Sequence, residues 1–111
     1  MSTEKIKEII NIFVQEINTL YGNSIDRIYL FGSCARGCQN DYSDIDILVL
    51  LDVPEDEIPN IRKTMRKCVN DIDWNYDVIV SPVYQSLQNF ETFKEVSGFY
   101  KNVLKEGLLV G

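Results

Sequence analysis

The chain contains no histidine, and that absence removes whole classes of mechanism. Neither a Ser-His-Asp nor a Cys-His arrangement can be built without an imidazole. The three cysteines, Cys34, Cys38 and Cys68, cannot all pair with one another. Cys34 and Cys38 alone fall short of the four ligands of a structural zinc site, so all three read as ordinary reduced thiols. No apolar run approaches the ~20 residues of a membrane span. The opening Met1-Ser2-Thr3-Glu4-Lys5 has no signal-peptide pattern, and a cytoplasmic protein with no membrane partner is expected. Positive charge is scarce too: 11 Lys and Arg stand against 17 Asp and Glu, a net charge of −6. Autonomous nucleic-acid binding, which needs a basic face to displace counterions, is not expected. An anionic substrate would need its charge masked by metal ions. Any enzyme here must work through carboxylates and metal.

What is present is ordinary globular material. An apolar share of 45% and a charged share of 25% in 111 residues predict a single domain over residues 1–111, large enough for a real core. Ile6, Ile9, Ile10, Phe13, Val14, Ile17 and Leu20 recur at three and four, an amphipathic helix ending near Gly22-Asn23. Residues 26–31 read as a first strand, running into Gly32-Ser33, where a short helix can begin. Residues 37–43 are polar and turn-like. Residues 44–51 form a second strand, apolar on both faces and therefore central. Ile58, Ile61, Met65, Cys68, Val69 and Ile72 mark a second long helix after a loop bracketed by Pro54 and Pro59. A third strand is predicted at 76–80, stopped by Ser81-Pro82. Helices follow at 83–95 and 98–108, the latter burying Phe99, Tyr100, Val103, Leu104 and Leu108. The order αβαβαβα predicts a three-stranded sheet layered against helices, an α/β or α+β sandwich.

One constellation carries chemistry. Gly32-Ser33-Cys34-Ala35-Arg36-Gly37 is followed by Ser43-Asp44-Ile45-Asp46-Ile47-Leu48-Val49. Strand side chains alternate, so Asp44 and Asp46 project from one face, roughly 6.6 Å apart at their attachment points. Two carboxylates so spaced can hold one or two Mg²⁺ ions, which take hard oxygen ligands and substrate phosphates. Burying Asp46 in an apolar strand demands a partner, either Arg36 or a bound metal. The backbone N–H groups and hydroxyl at Gly32-Ser33 could hold phosphate oxygens, and Arg36 could add its planar fork. Arg36 has a plainer alternative, a surface pair with Asp41 or Asp44. Gly37 would serve only to close the turn, and Ser43 to orient the start of the strand.

Two-metal nucleotidyl transfer places its ions ~4 Å apart, and a third carboxylate normally completes such a site. Asp77, within the apolar stretch 76–80, is the preferred candidate. Asp73, in a helix-to-strand connection that would be polar anyway, is the competitor.

Gly32-Ser33, ten intervening residues and Asp44-x-Asp46 resemble the signature of the DNA polymerase β-like nucleotidyltransferase superfamily. The fuller string through Arg36-Gly37 and Ser43-Asp44-Ile45-Asp46 is similar to its minimal nucleotidyltransferase branch. That resemblance implies a mixed three-stranded sheet, Mg²⁺ on Asp44, Asp46 and Asp77, and ATP or another NTP at Gly32 and Ser33. It further implies an antitoxin that transfers AMP onto a tyrosine of a HEPN-domain toxin.

Two other functions compete. A non-catalytic module could neutralise a partner by contact, although it would gain nothing from three clustered acids. A small-molecule transferase acting on antibiotics would normally use a further domain to shape its acceptor site.

Overall fold

The computed structural model describes residues 2–36 and 44–111, with the side chains of Ser33 and Arg36 also left outside the description. The polar turn expected over 37–43, with Gly37, Cys38, Asp41 and Ser43, lies outside the described residues.

The first apolar repeat forms α1, Thr3–Tyr21, whose Ser2 hydroxyl accepts from the Lys5 N–H at 3.1 Å. Its Ile6, Ile9, Ile10, Phe13 and Ile17 are buried, the stripe that the three-four spacing dictates. Strand β1, Ile25–Phe31, runs into the short helix α2, Ser33–Arg36. Strand β2 spans Ile45–Leu51, and α3 spans Ile58–Tyr76 with Pro59 in its first turn, where a missing N–H costs nothing. Then come β3, Val80–Ser86, α4, Leu87–Phe93, α5, Gly98–Glu106, and a two-residue β4, Leu108–Leu109. Ser86 and Ser97 cap α4 and α5 through their side chains.

The sheet order is β3-β2-β1-β4. β1 lies antiparallel to both β2 and β4, whereas β3 runs parallel to β2. The fold is therefore mixed α+β, as expected, but with four strands among the described residues instead of three. β2 sits in the middle and alternates between two cores. Ile45, Ile47, Val49 and Leu51 pack with α1 and α3, while Leu48 and Leu50 pack with Phe90, Tyr100 and Val103 of α4 and α5.

The third strand does not occupy 76–80. Tyr76 is the last residue of α3, and Asp77 caps it in the left-handed region at φ 52°, a conformation that Asp tolerates better than most residues. β3 begins only at Val80 and runs through Pro82. Proline is acceptable there because β3 is an edge strand, paired on one side alone. This displacement shortens the following helix to Leu87–Phe93. The last helix also stops early, at Glu106, and Gly107 precedes β4. Consequently Tyr100 and Val103 are buried, but Phe99, Leu104 and Leu108 are exposed.

Candidate active site

Strand pairing builds the site. Phe31, at the end of β1, pairs with Asp46 of β2, so the next residue, Gly32, lies against the Asp46 side chain. Gly32 has φ +72°, and a Cβ placed on it would collide with Asp46 Oδ2. Glycine is required twice there, by conformation and by close approach. On the other side, Asp46 pairs with Ser81 of β3 in parallel register. Ser81, read in the sequence as a strand terminator, thus sits beside the carboxylate. Only the tertiary register reveals it.

Asp44 is exposed and immediately precedes β2. Its backbone carbonyl accepts from the Cys34 thiol at 3.5 Å, which ties α2 to the start of the strand. Cys34 itself is buried, and burial, followed by the charge of Asp46, pushes its thiol pKa up. Cys34 is held as a packing thiol and not as a nucleophile.

The Asp46 carboxyl is half-buried. Burial first, and then the neighbouring Asp44 charge, raise its pKa above the ordinary carboxylate value. Among the described residues, neither Asp44 nor Asp46 has an ion pair. Two acids that repel each other, one of them partly desolvated, form a donor set suited to a hard divalent cation.

Asp73 lies near enough to Asp44 to feel its charge. Burial raises the Asp73 pKa most, the Val80 N–H lowers it, and Asp44 adds a further upward push. The Val80 N–H donates to Asp73 Oδ1 at 2.8 Å, so this acid secures the junction of α3 with β3. Asp77 is exposed at the helix cap, outside any strand, and its charge therefore needs no buried partner. Among the described residues no third Asp, Glu, Cys or His gathers with Asp44 and Asp46 into a metal-holding group. The structure thus brings Gly32, Asp44 and Asp46 together and places Asp77 at the C-terminal cap of α3. The Ser33 hydroxyl and Arg36 guanidinium fall outside the described side chains.

A mixed sheet carrying two alternating acids at the head of its central strand, with a glycine turn packed beside the second of them, has the architecture of a nucleotidyltransferase. Residues 6–110 match the Nucleotidyltransferase domain family, and the chain belongs to it. It is 36% identical over 110 residues to "Putative protein adenylyltransferase MJ0604" of Methanocaldococcus jannaschii, covering 96% of each chain. Among solved structures it resembles a "putative nucleotidyltransferase from Sulfolobus solfataricus", with TM-score 0.58, 19% identity, and coverage of 96% of this chain and 82% of that one. It also resembles a toxin-antitoxin crystallised with AMP-PNP, with TM-score 0.57, 21% identity, and coverage of 90% and 70%.

Proposed function

We propose that this nucleotidyltransferase moves a nucleoside monophosphate, AMP from ATP, onto a hydroxyl of a partner protein, and that it serves as the antitoxin against a helical HEPN-type toxin. The observation that carries this reading is the Asp44–Asp46 pair, without an ion-pair partner among the described residues and with Asp46 packed against Gly32 at the open head of β2. The name of the relative from Methanocaldococcus jannaschii supports protein adenylylation. The toxin-antitoxin structure with AMP-PNP supports the partner and the nucleotide.

In this reading Asp44 and Asp46 hold Mg²⁺, which would lower the charge on the triphosphate and on the departing pyrophosphate. Gly32 leaves room for the Asp46 carboxylate, and its backbone turn brings the start of α2 towards the phosphates. Ser33 and Arg36 contact those phosphates, and Asp77 is the third acid by resemblance. The acceptor oxygen forms a bond to the α-phosphorus as the bond to pyrophosphate breaks, and the acceptor proton leaves to a carboxylate. Phe99, Leu104, Leu108 and Leu109 stay between 38% and 63% exposed. That apolar surface supports docking of a partner that supplies the acceptor hydroxyl and the missing wall of the site.

Co-expression with a helical protein encoded beside it provides the test. Intact-mass measurement should show the partner heavier by one AMP, and no gain with Asp44→Asn/Asp46→Asn. An unmodified partner that is nonetheless bound and silenced would replace transfer with neutralisation by contact. Efficient modification of a free small molecule, with no protein bound, would remove the antitoxin reading altogether.

A further inference from the structure

The last turn of α3 and its connection to β3 lie at the same end of the sheet as the two acids. The Ile45 N–H, between Asp44 and Asp46 in the chain, donates to the Ile79 carbonyl at 2.9 Å. Asp73 braces this junction twice: its carboxylate accepts from the Val80 N–H at 2.8 Å, and its backbone carbonyl from the Val78 N–H at 3.3 Å. On the braced segment, folding leaves two large apolar side chains in water. Trp74 is 88% exposed and Ile79 57%. Trp74 makes no ring or cation contact among the described residues. Tryptophan is highly buried on average, and leaving nearly all of one in water forgoes a large hydrophobic gain. The charge around it has one sign. No Lys or Arg occurs from 68 to 93, and neither Asp73 nor Asp77 has an ion pair among the described residues.

We propose that Trp74, with Ile79 beside the acids, anchors a basic segment of the protein that receives the nucleotide. The inference rests on the protein-acceptor reading above and names the surface that recognises that acceptor. Tryptophan is among the residue types that most often dominate interface energetics, and its ring face attracts Arg and Lys. Asp73 and Asp77 favour the same cations and disfavour an acidic partner. A segment already held by its own hydrogen bonds loses little freedom on binding. Its position fits as well. Phe31 of β1 flanks Asp46 on one side, and β3 flanks it on the other. A chain seated on Trp74 therefore approaches the acids from the β3 side, opposite Phe99, which packs on Phe31.

Trp74 is the single tryptophan, so 5-fluorotryptophan incorporated into this chain alone gives one ¹⁹F signal. The probe is the helical protein encoded beside it, unlabelled. Free Trp74 should show the full H₂O/D₂O isotope shift of an exposed indole, and adding the probe should move the signal and abolish that shift. Trp74→Ala should weaken binding at least about tenfold with urea unfolding unchanged, and Ile79→Ser should weaken it less. Binding should also weaken as salt rises, and salt-indifferent binding would overturn the basic character of the segment. A probe that gains AMP while the Trp74 signal and the Trp74→Ala affinity stay unchanged would overturn the anchor and leave the transferase reading standing. Neither binding nor AMP gain would remove that reading, and the anchor with it. Loss of the isotope shift on concentrating the chain alone would assign Trp74 to self-association and overturn the proposal.

Discussion

The two faces of the sheet are built to different standards. Towards α1 and α3, the central strand buries Ile45, Ile47, Val49 and Leu51 against two helices of 19 residues each. Towards α4 and α5, of 7 and 9 residues, Leu48 and Leu50 are covered but Asp46 and Asp44 are not sealed over. Packing is heaviest on the first face, and the two acids lie on the second. A short helical cover lets one strand be fully packed along most of its length and still offer a polar head to a ligand.

The largest effect should come from the open face. Asp44→Asn/Asp46→Asn should reduce nucleotidyl transfer by on the order of 10³-fold. It should leave urea unfolding unchanged or shift it to higher denaturant, because mutual repulsion is relieved. A large loss of stability would instead make the acids structural. The closed face should behave in the opposite way. Phe13→Ala, at a site with no exposure, should destabilise by about 3–5 kcal/mol. Phe99→Ala should cost about 1 kcal/mol, since Phe99 is 38% exposed and its main ring contact is edge-on with Phe31. Equal losses at the two phenylalanines would erase the contrast.

Asp77→Asn and Asp73→Asn sharpen the site itself. If Asp77 is the third acid, its change should cost ~10²-fold in rate while Asp73→Asn costs little. A reversed result assigns the role to Asp73, already within reach of the Asp44 charge. Gly32→Ala should also lower the rate by about 10²-fold, since a small displacement of a reacting group is that costly. Its effect on folding should be only about 1–2 kcal/mol. Normal activity in that variant would mean that Asp46 need not lie where it does.

The smallest effect is in pH. Asp46 and Asp73 both have raised pKa values in the folded chain, so the folded state takes up protons before the unfolded one. These two groups therefore add stability as pH falls through their folded values towards the ordinary value near 3.9, where the gain is complete. Asp46→Asn should flatten that part of the profile in urea unfolding between pH 7 and 4. An unchanged slope would show that Asp46 is not strained by its surroundings.

Much of this was legible in the sequence, for physical reasons. The isoleucine spacing of α1 and the unbroken apolar run of β2 are local patterns, and each element follows its own period. The alternation of Asp44 and Asp46 predicts their shared face in the same way. The sequence pattern places β3 too early because α3 continues past its last buried residue, Ile72, through Asp73, Trp74, Asn75 and Tyr76, where no apolar stripe signals a helix. β4 pairs only two residues, both exposed, and leaves no pattern to read. The contact of Gly32 with Asp46 and the pairing of Asp46 with Ser81 depend on register between distant strands, which no local period contains.

The outer margin of β3 has a consequence for how the molecule meets others. The Val80 N–H is already engaged by Asp73, and Pro82, two residues on, has no N–H to give. Along its first stretch the strand therefore lacks the row of vacant donors that would let another chain extend the sheet. A sheet edge so blunted resists open-ended polymerisation, and recognition must proceed through side chains and helix surfaces instead of by strand addition at this margin.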